Sequence, residues 1–298
     1  MNFKDHVRLG LNHHLLYADV IRDSLEHLRT LEIVLSDPRL DILDMWYPWD
    51  IKDQTLQAIK DSGKTIYYNM GNRAGQRPLA PSAVDDEHRS FTMGIYKDEL
   101  ERAKLCNAQK IITNSGPNDT ENRQRCKDYL VEFYIELCKC AESMTVMIEP
   151  TDWDVSKCKL IGSSAEAVEI CRRVREAGCD NMASMIDMCH VPLMHETIAQ
   201  AVGDTGDFLE HIHLGNCVLD EASSFCGDKH PGIGVEGGVY GVADIAEIFR
   251  LCIASGYFGS ENKGSASIEM RRLPSEASEE SFEKYYESVA QAWEMAKG

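Results

Sequence analysis

Eight short β-rich runs, separated by longer amphipathic stretches, constrain this chain more than any other feature of it. The runs lie at residues 8–14, 43–47, 65–69, 110–114, 145–149, 183–187, 211–214 and 266–270. The stretches between them include residues 20–35, 54–62, 96–106, 123–141, 164–177 and 242–254. Within residues 128–140, Leu130, Phe133, Tyr134 and Leu137 recur at three- and four-residue spacing, the period of a helix laying one face on a sheet. Strands joined through helices run parallel, so the alternation predicts an α/β fold with a parallel sheet. Eight repeats close such a sheet into a (β/α)8 barrel. The 298 residues match the ~250 typical of one such domain with insertions. No Pro/Gly/Ser linker divides the chain, so residues 1–298 read as a single domain. Ser163 through Glu166 and Ser281 mark helix starts, and Gly178 and Gly256 mark stops. Long loops are expected at about residues 70–90, after the third strand, and 215–241, after the seventh. Both would sit where all strands exit, the face on which such barrels build their pockets.

Charge narrows the partners. Lys+Arg 31 against Asp+Glu 49 leaves −18, a balance that repels phosphate backbones and anionic membrane surfaces. Nucleic acid and membranes are therefore not expected partners. No stretch approaches the ~20 consecutive apolar residues of a membrane span. Met1-Asn2-Phe3-Lys4-Asp5-His6 lacks the apolar centre of a secretion signal. Eleven cysteines without a Cys-x-x-Cys pair read as reduced, mostly buried thiols of a cytoplasmic protein.

The chemistry concentrates where runs five to eight end. Glu149 closes Val146-Met147-Ile148-Glu149, Asp187 closes Met185-Ile186-Asp187, His213 follows His211-Ile212, and Glu269 closes Ser267-Ile268-Glu269. Any one of the acids alone fits equally a helix cap or an arginine partner, and His213 alone fits a hydrogen-bonded core histidine. Together they form a ligand set for one divalent metal ion. Oxygen and imidazole ligands without thiolate suit Mn2+, Mg2+, Co2+ or Zn2+, with Mn2+ favoured for a hard, open site of three carboxylates and one imidazole. Such an ion can hold a hydroxyl and the adjacent carbonyl of a sugar and stabilise the enolate left by proton removal. A general base must then lie within hydrogen-bond reach of that carbon.

His190, three residues past Asp187, is a candidate substrate contact or base, or alternatively a hydrogen-bond partner of a ligand. Asp228 and His230 lie in Gly227-Asp228-Lys229-His230-Pro231-Gly232 on the second long loop. Arg271 points the same way as Glu269 if the strand persists. Asn12, His13 and His14, Trp46, Asn69, and Asn114 with Ser115 supply a polar ring with one aromatic at the first four strand exits. From this group His14, Trp46, Asn114, His230 and Arg271 are the expected substrate contacts.

With Glu149, Asp187-x-x-His190, His213 and Glu269 in that order, the chain resembles the xylose-isomerase-like TIM-barrel superfamily over essentially its whole length. Within it the likeness is to sugar isomerases and epimerases related to tagatose 3-epimerase. The resemblance implies metal binding by Glu149, Asp187, His213 and Glu269. It also implies proton transfer by Glu149 and Glu269, and substrate contact by His190. The long interval from His213 to Glu269, with Asn12-His13-His14-Leu15-Leu16-Tyr17 and Glu149-Pro150-Thr151-Asp152, resembles the catalytic alpha subunit of bacterial C-glycoside deglycosidases. That second resemblance implies elimination of an aromatic aglycone from a 3-oxo C-glucoside, in company with a small beta subunit.

The expectation is thus a metal-dependent enzyme that enolises a keto sugar, with catalytic Glu149, His190 and Glu269. C-glycoside cleavage is the leading form, and isomerisation or epimerisation of a keto sugar or its phosphate is the alternative. The superfamily also holds apurinic-site endonucleases, but those need a cationic surface and more histidine ligands.

Overall fold

The computed structural model describes residues 1–70, 78–261 and 263–298. Its strands are β1 (Val7–Asn12), β2 (Ile42–Met45), β3 (Thr65–Asn69), β4 (Ala108–Thr113), β5 (Thr145–Ile148), β6 (Met182–Asp187), β7 (Leu209–Leu214) and β8 (Gly264–Ile268). They pair in sequence order, all parallel, and close through β1 and β8 with Val7 opposite Gly264 and Leu11 opposite Ile268. The eight expected runs are these eight strands, with every end within two residues.

Strand alternation sorts the side chains into two layers. Leu9, Leu11, Leu43, Met45, Ile66 and Tyr68 face outward into the apolar layer beneath the helices. Ile42, Tyr67, Ile112, Met147, Ala183 and Met185 form a separate cluster inside the barrel. One step of two residues along these strands carries the interior row to Asp44, Asn69, Asn114, Glu149 and Asp187. The lower end is filled: Arg8 donates to the Tyr67 hydroxyl at 3.1 Å, and Lys110 pairs with Glu210 at 2.6 Å. Interior packing is close at Gly10, where a Cβ would lie 2.2 Å from Ser267 Oγ and 2.8 Å from Ile42 Cβ.

Helices Arg123–Ala141 and Val242–Ala254 have the bounds the periodicity predicts. Ser163 caps Ser164–Glu176 by accepting from the Glu166 amide at 3.2 Å. Three expectations change. The helix expected from residue 96 begins at Asp86, capped by Asp85, which accepts from the Glu87 amide at 3.1 Å. Its acidic first turn suits the positive end of the helix dipole, but Gly94 and a weak apolar stripe disguise this half. The loop expected at 70–90 therefore ends at residue 85, and its residues 71–77 lie outside those described. Ser281 starts nothing: it is buried in the first turn of Ser278–Ala296 and accepts from the Leu273 amide at 2.9 Å. Between β6 and β7 stand two short helices, His190–Leu193 and Ile198–Thr205, which the alternation of long segments does not predict, although Ile198, Ala201 and Val202 recur at helical spacing behind the Thr197 cap.

Residues 215–241 form the long connection after β7, tied by bridges from Val218 to Cys226 and to Gly238. All eleven cysteines are free thiols. Among the described residues no helix is long and apolar enough to cross a membrane.

Candidate metal and substrate site

The interior row of alternating side chains ends, at the open mouth, on the four residues that the sequence marks. Glu149 is the first residue past β5 and Glu269 the first past β8, while Asp187 and His213 belong to β6 and β7. One ligand atom from each of Glu149, Asp187, His213 and Glu269 lies within 4.8 Å of all the others. Nδ1 of His213 touches Oε2 of Glu269 and lies 3.5 Å from Oε1 of Glu149. Asp187, His213 and Glu269 are buried; Glu149 is half-buried at the opening.

Asp187, His213 and Glu269 each meet a supporting group at one atom and leave the other at the centre. Asn12 Nδ2 donates to Glu269 Oε1 at 2.7 Å, and the Cys189 amide donates to Asp187 Oδ1 at 2.8 Å. Behind His213, Asp44 Oδ2 lies 3.2 Å from Nε2 and also 3.1 Å from Nε2 of His211, whose Nδ1 is 2.8 Å from Ser265 Oγ. Asp187 Oδ2, Glu269 Oε2 and His213 Nδ1 are buried and make no well-formed hydrogen bond, the last two meeting each other and the first facing His190 Nε2 at 3.2 Å. Buried polar atoms are almost always paired, because leaving one unsatisfied costs ~1–3 kcal/mol. Three converging carboxylates raise that cost through mutual repulsion. A divalent cation at the convergence satisfies every orphaned atom at once, so the residues fit the group.

Electrostatics agree. Burial drives the Asp187 carboxyl well above its ordinary range, and Glu269 and Glu149 push the same way against His230. Burial pulls the His213 imidazole down, but Glu269 and contacts with Asp44 and Glu149 outweigh it and hold the ring well above its usual value. For Glu269, burial favours the acid, yet His213 and His230 reverse this and keep it ionised.

A cavity of about 520 Å³ opens beside this cluster. His14, Trp46, Asn114, His230 and Arg271, the expected substrate contacts, all line it together with His190, Glu149 and Glu269. Burial lowers the His14 imidazole to about 4, despite Glu269 and Asp44, and drives His190 well below its usual value. Both are neutral rings, able to donate to or accept from hydroxyls. His190 Nε2 lies 3.2 Å from Asp187 Oδ2, and its ring meets His230 edge-on at 5.6 Å. His230 in turn lies 2.7 Å from Asp228 Oδ1 and holds a left-handed backbone, φ 48°.

Arg271 reaches the cavity by another route than strand alternation. β8 stops at Ile268, and Arg271 is held by its amide on the His230 carbonyl (2.8 Å) and its Nε on the Lys229 carbonyl (3.1 Å). His13 and Ser115 leave the expected polar ring. His13 is fully buried against Tyr17 and His27, and Ser115 Oγ accepts from the Ile161 amide at 2.9 Å. Residues the sequence reading passed over are Asp44, Thr151, Lys157 and Lys159, the last three lining the cavity. The signal for Asp44 was present: a carboxylate inside the apolar Ile42-Leu43-Asp44-Met45. The lysines had only an unusual basic pair in an acidic chain.

A family model described as a xylose isomerase-like TIM barrel matches residues 27–293. No curated protein sequence matches the chain. An AP endonuclease, family 2, from Brucella melitensis superposes with a TM-score of 0.69 at 14% identity, over 95% of this chain and 98% of that one. A D-psicose 3-epimerase crystallised with D-fructose gives 0.69 at 15% identity, over 98% and 100% of the respective chains. The 3-keto-D-glucoside 4-epimerase YcjR from E. coli gives 0.65 at 16% identity, over 96% and 98%. At these identities the likenesses establish the fold and nothing finer.

Proposed function

The chain belongs to the xylose isomerase-like TIM barrel family, and on that footing we propose that it is a divalent-metal-dependent epimerase or isomerase of a keto sugar. One observation carries the reading. Candidate ligand atoms of Glu149, Asp187, His213 and Glu269 converge within 4.8 Å beside a polar cavity that Glu149 and Glu269 line. Solved structures of this shape include a psicose 3-epimerase and a 3-keto-glucoside 4-epimerase.

The ion, manganese by preference, would supply a Lewis acid for a carbonyl and its neighbouring hydroxyl, stabilising an enediolate. The chain's residues do the rest. Glu149 and Glu269 close two different strands and both line the cavity, so they can address one carbon from two sides, one taking its proton and the other returning one. Asn12 holds Glu269 Oε1 and so fixes the carboxylate in place. His14, Asn114, His190 and His230 orient hydroxyls, and Trp46, edge-on to His14 at 6.3 Å between centroids, offers a ring face for a sugar.

A second reading, elimination of an aglycone from a 3-oxo C-glucoside, is favoured by the cavity's apolar side. Leu15, Ala18, Ile21 and Trp46 line it, and Ile21 is 43% exposed. In this form Glu149, His190 or Glu269 removes the C2 proton, the C1–C bond to the aglycone breaks as the C1=C2 bond forms, and the departing aglycone carbon takes up a proton from a second of these groups or from water, with a small beta subunit as the partner. The two readings share the enolising step.

The test is a panel of keto sugars with the manganese-loaded protein in deuterated water. Deuterium in the recovered sugar at the carbon beside the carbonyl, abolished in Glu269→Gln, is the expected result. A free aglycone released from a 3-oxo C-glucoside with a cognate beta subunit moves the assignment to the second reading. A protein that binds manganese yet exchanges no proton in either assay overturns both.

A further inference from the structure

We infer that the cavity contains an anion subsite built by Lys159 and Thr151, which selects sugars carrying a carboxylate or a phosphate. The identity of the remaining substrate rests on the keto-sugar reading above; the subsite stands on observations of its own.

In a chain of net charge −18, neighbouring acids pair with some of the cationic side chains and leave others free. Lys157, also on the cavity wall, is consumed: its ammonium lies 2.5 Å from Asp228 Oδ2. Lys159 is not. Its Nζ has no hydrogen-bond or ion-pair partner among the described residues, although the side chain is half-buried and lines the cavity. Burial lowers its pKa, Lys157 adds to the effect, and Asp152 opposes it. The Asp152 carboxylate offers no direct partner, since it is filled by the amides of Val155, Ser156, Lys157 and Cys158 at 2.6–3.1 Å.

Thr151 supplies the second element. Its hydroxyl is buried, with the residue 4% exposed, and makes no hydrogen bond, yet Thr151 lines the same cavity. The two residues belong to one short turn. The Lys159 amide donates to the Asp152 carbonyl at 2.8 Å, the Thr151 amide donates to the Ile161 carbonyl at 3.1 Å, and Lys159 bridges to Pro117. A backbone tied at both ends fixes the point from which the Lys159 side chain reaches, so binding orders the side chain and not the loop. An ammonium and a hydroxyl, both lacking protein partners, match the acceptor oxygens of a carboxylate or phosphate.

The experiment is calorimetric titration of the metal-loaded full chain with sorbitol, gluconate and sorbitol phosphate. At least one anion is expected to bind about tenfold or more tightly than the neutral polyol, as a charge-assisted hydrogen bond implies. Which one does so identifies the group. The preference should vanish in Lys159→Met, shrink in Thr151→Val and persist in Lys159→Arg, which also guards against a folding failure of the first variant. Equal binding of all three polyols, or a preference untouched by Lys159→Met, overturns the subsite. Anion preference without turnover of any keto sugar sinks the epimerase reading and leaves the subsite standing. Turnover of neutral keto sugars without anion preference does the reverse.

Discussion

Asp44 Oδ2 stands 3.2 Å from His213 Nε2, on the side of the imidazole opposite Glu149 and Glu269. A carboxylate there favours the proton on Nε2 and leaves the Nδ1 lone pair for the ion, the usual arrangement behind a metal-bound histidine. Asp44→Asn keeps the volume and removes the charge. Divalent affinity, measured by metal titration, should fall about 10–100-fold. A loss of thermal stability with unchanged metal affinity would reduce Asp44 to packing.

Gly215, immediately after β7, gives Asp187 its room. A Cβ there would lie 2.8 Å from Asp187 Oδ1 and 3.1 Å from Cys189 Cβ. Asp187 Oδ1 is also the atom fixed by the Cys189 amide, so the carboxylate cannot yield without giving up that bond. Gly215→Ala should cost about 1–3 kcal/mol through overpacking and weaken manganese binding as Asp187 turns away. Urea unfolding and metal titration on the same preparation check both. An alanine variant that binds manganese normally would show that Asp187 is not a ligand.

The strands and the convergence of the four candidate ligands were legible in the sequence for one reason: a buried strand alternates with period two, and a polar residue breaking that alternation at its exit must face the mouth. Glu149, Asp187, His213 and Glu269 all announce themselves this way. Asp44 breaks its strand likewise, but one residue sooner, where it reads as an oddity until His211 and His213 are placed beside it. His13 misled because it follows Asn12 at a strand exit, whereas the chain turns into the short helix His13–Leu16 and carries the ring into the core. Thr151 and Lys159 were invisible since their position depends on a turn whose closing contacts, Asp152 to the amides above it, have no periodic signature.

The core histidines give a pH dependence independent of the metal. His13 and His27 are fully buried, and burial holds both below the usual 6.5, His13 further lowered by His27 and His14. Thr30 donates its hydroxyl proton to the Glu26 carbonyl, so His13 Nε2, 2.8 Å from Thr30 Oγ1, carries the hydrogen and the ring is neutral. With folded pKa values depressed, the unfolded chain binds these protons first. Their contribution is complete above 6.5 and is lost as pH falls below it toward the folded values. The melting temperature should therefore drop between neutrality and about pH 5, and His13→Gln, which can still donate to Thr30, should flatten that slope. An identical slope in the variant would mean other groups govern the acid limb.

Trp293 locks the two ends of the chain together. It is 1% exposed on the last helix, meets Phe3 edge-on at 5.3 Å and Phe249 at 5.8 Å, and donates its indole N–H to the Met1 carbonyl at 3.3 Å. Phe3 lies next to β1 and Phe249 on the helix preceding β8, so this aromatic cluster backs the seam where the barrel closes. Trp293→Ala should cost about 3–5 kcal/mol in chemical denaturation, from lost transfer energy and the cavity left behind. Trp293→Phe keeps most of the apolar contact and loses the hydrogen bond, so it should cost about 1–2 kcal/mol less than the alanine change. Because the ligand residues sit at the opposite end of their strands, neither variant should alter manganese affinity while folded. A fall in affinity at full folding would mean the seam, and not the strand exits alone, positions Glu269.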